Sequence, residues 1–266
     1  MDTFERSMAH WSEEGRAEME SFYTVATQDY RELAESRDWP GWLGTRARVL
    51  DVACGSGKFP RALGLYADLG PQTLTVDLLD PSPFSVEEAG NSLEPPFARG
   101  RDFVCTLQDL PPQAGPWPVV WATHALYAIP PAELDLALAR FVRAIAEKGV
   151  GFIAHARADS FYMSFHRAYL EGRLGGRGTP FSTAEDLLAA FDRLGVEVQV
   201  SDIEYVGRTE RREVAEGFLQ RCLFDETVSL AQMEADPALS QVLQTARGDD
   251  SAFCFPQQVA LIDFAR

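Results

Sequence analysis

The chain is short of positive charge, of cysteine and of long apolar runs, and each shortage removes a class of function. Lys and Arg number 24 against 40 Asp and Glu, a net charge of -16, so a nucleic-acid backbone would be repelled rather than gathered. No nucleic-acid partner is expected. The acidity reads first as a solvated surface, with attraction of a cationic small molecule as the sharper alternative. No stretch approaches the roughly 20 apolar residues of a membrane span, and the opening "MDTFERSMAH" is acidic with no apolar core. A cytoplasmic protein without a membrane partner is expected. Cys54, Cys105, Cys222 and Cys254 show neither a Cys-x-x-Cys pair nor a Cys/His metal spacing. They read as buried thiols, and no metal is expected.

What the chain does have is length and alternation. Its 266 residues suit one α/β domain with insertions. Residues 10 to 38 are charged and helical in pattern, with Trp11, Phe22, Tyr23 and Tyr30 among them, until Pro40 and Gly41 break the run. From Arg46 short apolar segments follow: "RVLDVA", "TLTVDLLD", "DFVCT", "PVVWAT" and "GVGFIAH". The stretches between them are long enough for helices, which implies crossover connections and a doubly wound, mostly parallel α/β sheet. "FSTAEDLLAAFDRLG" offers a capping box at Ser182 and Glu185, an apolar face through Leu187, Leu188, Phe191 and Leu194, and Gly195 as its stop. "VEVQVSDIEYV" reads as a sixth strand, residues 211 to 248 as helical, and "QQVALIDF" as a seventh strand.

"DVACGSGKFP" bends between the first strand and the next helix. A phosphate-binding P-loop would need glycine at position 52 and a hydroxyl at position 59, where the chain has Val52 and Phe59. A dinucleotide turn needs a third glycine where the chain has Pro60. What remains is an acid followed by small residues, Asp51, Ala53, Gly55 and Gly57. That pattern resembles the D/E-x-G-x-G-x-G signature of S-adenosylmethionine (SAM)-dependent methyltransferases, with Ala53 in place of the first glycine. Glycines let backbone approach a ligand, and Asp51 suits an ammonium where a pyrophosphate would be repelled. Ser56 lies in the same bend. The second strand ends in Asp80, with Pro81 and Ser82 in the turn, about 20 residues further on, where doubly wound folds place an acid for ribose hydroxyls. Gln108 and Asp109 in "LQDLPP" are placed for the adenine edge, or else form a polar turn. Thr123 and His124 end the fourth strand, beside the switch point where a crevice opens.

With these motifs placed, the chain resembles a class I SAM-dependent methyltransferase, and in the order of its motifs it is similar to the histamine N-methyltransferase group. The parallels are "LLDPS", "THALYAIP", "FSTAEDLLAAFDRLGV", "FLQRCLF" and "FPQQVALIDF". The resemblance implies a Rossmann-like seven-stranded sheet with an antiparallel last strand. It divides one domain, 1–266, into an N-terminal helical cap (1–45), a cofactor-binding core (46–204), a helical insertion over the substrate site (205–257) and a last strand (258–266). It puts a polar side chain and an aromatic before the substrate at His124 and Tyr127. The group's amine-binding glutamate in the cap would fall near "ATQD", at Gln28, a departure from the pattern. His124, His155 and His166 are candidates to hold a proton or a hydrogen bond, with His124 the preferred base. Phe161, Tyr162, Phe165 and Tyr169 are candidates for an aromatic substrate wall, with ordinary core packing as the alternative, and Tyr23 and Tyr30 are further substrate-binding candidates. The expected activity is methyl transfer to a small molecule, with a nitrogen of an amine or heteroaromatic as the favoured acceptor. Oxygen or carbon methylation of an aromatic or specialised metabolite is the enzymatic alternative, and a non-catalytic SAM-binding protein is the alternative of another class.

Overall fold

The computed structural model describes residues 3–10, 12, 16–248 and 252–266; Trp11 lies outside them. The N-terminal cap is α1 (Thr3–His10), α2 (Arg16–Glu35) and the short α3 (Trp39–Leu43). Pro40 does not break a helix, as the sequence suggests, but begins one. It occupies the first turn of α3, where no amide hydrogen is required, and the Asp38 carboxylate caps that turn by accepting from the Gly41 N–H at 3.1 Å.

The core follows as β1 (Arg48–Val52), α4 (Lys58–Tyr66), β2 (Leu74–Leu79), α5 (Pro83–Ser92), β3 (Phe97–Phe103), β4 (Trp117–Thr123), α6 (Leu134–Ala144), β5 (Ile145–Ala156), α7 (Phe161–Ala168) and α8 (Ala184–Arg193). It closes with β6 (Gln199–Thr209), α9 (Arg212–Leu223), α10 (Leu230–Ala235), α11 (Pro237–Gln244) and β7 (Phe253–Ala265). The seven strands lie in the order β3-β2-β1-β4-β5-β7-β6. Every pairing is parallel except those of β7, which runs antiparallel to both β5 and β6. The order reverses between β1 and β4, and the crevice for a ligand opens at their carboxyl ends.

Alternate strand residues feed two apolar layers, as period-two geometry requires. Val49, Val76, Val119 and Trp121 pack with α3, α4 and α5 on one face. Leu50, Val52, Val120 and Ile153 pack with α6 and α8 on the other. A third cluster joins Val25 of α2 to α7, α9, α10 and α11, forming a roof at one end of the sheet.

Three further features differ from the sequence reading. The third strand is not "DFVCT" but runs from Phe97 to Phe103, through Arg99, Gly100 and Arg101. Its charges hide it from an apolar search. The buried Asp77 of β2 accepts from the Arg101 N–H at 2.8 Å, from the Arg101 and Arg48 guanidinium groups, and from the Trp117 indole at 2.7 Å. Gly100 is required by this packing, because a Cβ there would lie 2.2 Å from Asp77 Oδ1. Burial pushes Asp77 upward, but these bonds outweigh it and hold the carboxyl below its ordinary range. The capping box of α8 is also one residue on: Thr183 accepts from the Asp186 N–H at 3.1 Å and Asp186 accepts from the Thr183 N–H at 2.8 Å. Ser182 instead gives its carbonyl to His155. Finally, β6 extends past 204 and β7 starts before 258, so the helices between them span Arg212 to Gln244, narrower than 205–257.

Candidate functional site

A cavity of about 550 Å³ opens over the carboxyl ends of β1, β2 and β4 and beneath α2 and α9. That volume falls within the range of small-molecule sites. The loop after β1 forms one wall by a series of left-handed residues, with φ of 51° at Ala53, 52° at Gly55 and 71° at Gly57. Glycine adopts this conformation freely, whereas Ala53 does so at a cost of about 1–2 kcal/mol. The loop is tied to the neighbouring strand end through Asp80, whose carboxylate accepts from the Gly55 N–H at 3.1 Å and the Ser82 N–H at 2.8 Å.

Two buried acids therefore face one cavity. Burial pushes Asp51 up to about 8, opposed by the Trp121 indole and reinforced by Asp80. Burial also raises Asp80 to about 6, against the pull of the Ser82 and Gly55 amides. Such a pair disfavours phosphate and favours a ligand that brings cationic charge and hydroxyl donors. SAM fits this donor set: Asp51 would meet its ammonium, Asp80 its ribose, and Gln108 and Asp109 its adenine. Pro81, Gln108, Asp109 and Thr123 also line the cavity. Glu133 accepts from the Gln108 amide at 2.8 Å, and the Thr106 hydroxyl donates to Asp109 at 2.7 Å. Among the described residues, no group of three or more metal-ligating side chains is placed to hold an ion.

Ser56, Gly57 and Ser82 do not line the cavity. Gly57 is the N-cap of α4, and it packs so closely on α5 that a Cβ would lie 2.2 Å from Ser92 Oγ. The Ser82 hydroxyl caps α5 by accepting from the Ser85 N–H; its contribution to the site is the amide that holds Asp80.

The other half of the cavity is built around His124. Its φ of 52° is left-handed, and its N–H donates to the Ala154 carbonyl at 2.9 Å. This strained conformation turns the imidazole off the end of β4. Nε2 lies 2.7 Å from Asp29 Oδ2, while Nδ1 shares a 2.6 Å hydrogen bond with the Tyr127 hydroxyl. Asp29 is buried, and its Oδ1 has no hydrogen-bond partner among the described residues. Tyr205 lies beside it; burial, then the charge of Asp29, holds that phenol well above its ordinary range. Tyr23, Tyr30, Tyr127 and Tyr162 complete the aromatic lining, with Tyr127 and Tyr162 edge to face at 5.0 Å.

The remaining candidates take structural places. Gln28 is exposed, its amide directed to Glu32 on the same helix. His155 lies behind Tyr127, stacked at 4.1 Å, and its Nε2–H donates to the Ser182 carbonyl at 2.8 Å; burial lowers its pKa to about 3. His166 stacks on Phe181 and donates from Nδ1 to the Cys222 carbonyl at 3.1 Å, with burial lowering its pKa to about 4. Phe161 packs in the core against Phe165 and Phe255.

The sequence reading misses Asp29 and Arg221, yet a signal for each exists. On α2, Phe22, Val25, Ala26, Asp29 and Leu33 follow the helical repeat, which places an acid within an apolar stripe. On α9, Val214, Phe218 and Arg221 do the same with a base. Gln28 sits one position away from the stripe, on the solvent face.

An acid-lined crevice of this kind, at the switch point of a 3-2-1-4-5-7-6 sheet, defines a Rossmann-like fold of the class I methyltransferase type. Residues 49–149 match the methyltransferase domain family, and this match and the fold together support SAM-dependent methyl transfer. A search of curated proteins found no match. Solved structures share the fold at low identity. Magnesium protoporphyrin IX methyltransferase of Synechocystis PCC 6803, with S-adenosylhomocysteine (SAH) bound, is 12% identical, covers 98% of this chain and 99% of its own, and gives a TM-score of 0.56. A Thermotoga maritima SAM-dependent methyltransferase described as a possible histamine N-methyltransferase is 13% identical, with 97% and 99% coverage and a TM-score of 0.55. The cyclopropane synthase MmaA2 of Mycobacterium tuberculosis is 14% identical, with 99% and 98% coverage and a TM-score of 0.56. Among the described residues, no helix is long and apolar enough to cross a membrane.

Proposed function

We propose that the protein methylates a nitrogen of a small molecule, an amine or a heteroaromatic, at the Asp29–His124 pair. The observation that carries this reading is Asp29 itself: a buried carboxylate lining the cavity, with one oxygen on His124 and the other without a partner among the described residues. An acceptor N–H offers that oxygen a hydrogen bond, and a buried carboxylate gains most when it is met in this way. The acid that the histamine N-methyltransferase resemblance calls for at Gln28 is thus supplied one residue on.

When bound, SAM supplies an electrophilic methyl group on a sulfonium. The chain's own task is alignment, exclusion of water and disposal of one proton. Asp51 and Asp80 anchor the cofactor half. Asp29 Oδ1 orients the acceptor nitrogen, and the pair of Asp29 and His124 takes up the proton which that nitrogen loses. Tyr127 fixes the imidazole from the opposite ring nitrogen, and Tyr23, Tyr30 and Tyr162 keep solvent from the chamber.

The test is incubation with labelled SAM and a panel of amines, imidazoles, indoles and phenols. Labelled amine or heteroaromatic product is expected, with turnover about 10²-fold lower in Asp29→Asn at unchanged SAH affinity. Label on phenols alone would instead support oxygen methylation and overturn the nitrogen assignment.

A further inference from the structure

Cofactor binding asks Asp51 to hold a charge that its burial opposes. Asp51 is 2% exposed at the end of β1 and lines the cavity, and its register partner on the neighbouring parallel strand β4 is Trp121. Val49, Val119 and Trp121 belong to one apolar layer, and the two-residue period of β1 carries Asp51 to the face of Val49. Carboxylate and indole thus leave the sheet side by side. Trp121 is fully buried, with Phe59 of α4 edge to face against it at 5.1 Å, and packing on this scale fixes the ring.

Hydrogen bonding sets Trp121 apart from the other described tryptophans. The indole N–H donates to the Leu33 carbonyl at 3.2 Å from Trp39, to Asp263 at 3.1 Å from Trp42 and to Asp77 at 2.7 Å from Trp117. Trp121 Nε1 has no hydrogen-bond partner among the described residues. A buried donor in this state is rare and costly, and it calls for a functional reason. Its polarity nevertheless reaches Asp51: burial pushes that carboxyl up, the Trp121 indole draws it back, and Asp80 adds to the push. Of the other ionisable groups at Asp51, Cys54 of the bend and Tyr30 of α2 are held well above their ordinary values, first by burial, and stay neutral at physiological pH. Lys58 of α4, His124 after β4 and Arg221 of α9 line the same cavity.

Resting on the assignment of Asp51 to the cofactor's ammonium, we propose that Trp121 is the positioning residue of that site: its indole N–H takes the Asp51 carboxylate when the cofactor binds and holds it toward the ammonium. One Asp51 oxygen then serves the indole and the other the cofactor, while the carboxyl proton leaves to solvent. The arrangement discriminates by charge. A ligand without an ammonium leaves the indole as it stands in the free protein.

The test compares three ligands at about neutral pH, by calorimetry and by the indole N–H resonances of the five tryptophans. They are SAH, decarboxylated SAH, which keeps the ammonium, and methylthioadenosine, which lacks the amino-acid end. One indole resonance should move downfield with the first two and stay in place with the third. That movement should vanish in Asp51→Asn, and the resonance itself should be missing from Trp121→Phe. Trp121→Phe should weaken SAH about 10-fold and leave methylthioadenosine within about 2-fold, and in the Asp51→Asn background it should weaken SAH by no more than about 2-fold. The resonances of wild type and Asp51→Asn decide the matter even if Trp121→Phe fails to fold. The proposal is overturned if no indole resonance responds to the ammonium, if methylthioadenosine moves the same one, or if Trp121→Phe weakens all three ligands alike, as lost packing alone would do. Weakened SAH binding in Asp51→Asn with full affinity in Trp121→Phe would overturn it while leaving Asp51 on the ammonium. Full SAH affinity in Asp51→Asn would overturn the ammonium assignment and the proposal together.

Discussion

Cofactor affinity should depend steeply on pH because Asp51 must ionise to meet an ammonium. In the free protein, burial holds this carboxyl at about 8, so at neutral pH it is mostly protonated. Each pH unit below that value lowers the ionised fraction about 10-fold, equivalent to roughly 1.4 kcal/mol. Between pH values of about 5.5 and 7.5, where an α-ammonium stays mostly charged, SAH affinity should rise on the order of 70-fold from Asp51 alone. Binding at about pH 7 should release close to one proton, read by calorimetry in buffers of different ionisation enthalpy. The stability of the free protein carries the opposite sign. Asp51 and Asp80 bind their protons more tightly folded than unfolded, so their contribution falls as pH rises from about 4 through the folded values and is flat above them. Affinity that is level across this range, or an equally steep profile in Asp51→Asn, would refute the reasoning.

Other substitutions separate the parts of the site. Asp80→Ala should weaken SAH binding by about 1.5–3 kcal/mol through lost charged hydrogen bonds; unchanged calorimetric affinity would remove Asp80 from the ribose site. Gly55→Val should abolish binding in a folded but less stable protein, since its φ is 52° and it lines the cavity; normal binding would make the bend only a turn. Asp77→Ala should leave cofactor affinity per folded molecule unchanged but destabilise the protein by about 1–3 kcal/mol in denaturant unfolding, because it strands the Trp117 indole and the Arg101 amide, while the Arg48 and Arg101 side chains stay about half exposed to water.

How much of this was legible in the chain depends on whether the signal was apolar. β1, β2, β4 and β5 announce themselves because parallel central strands are buried on both faces, and the acids at their ends follow from chain order. β3 escapes an apolar search because Arg101 is satisfied by Asp77, a partner on another strand that no local pattern reveals, and Arg99 by Glu87 and Asp102. Asp29 stays hidden in the sequence for want of the helical phase of α2, which packing against β6 and α9 fixes. His124, Tyr127 and Tyr162 were read from the strand end and the helix after it, and the cavity does contain them. His155 and His166 share the chemistry but lie behind that wall, and depth is the property a sequence encodes least directly.

The most direct measurement is turnover of His124→Asn at saturating SAM, with an acceptor taken from the labelled panel. Asparagine tolerates the left-handed conformation that position 124 adopts, so the backbone turn should survive. Turnover should fall by about 10- to 10⁴-fold at unchanged SAH affinity. Undiminished turnover would contradict a proton-accepting His124, and weakened SAH binding with turnover intact at saturating SAM would place it in the cofactor shell instead.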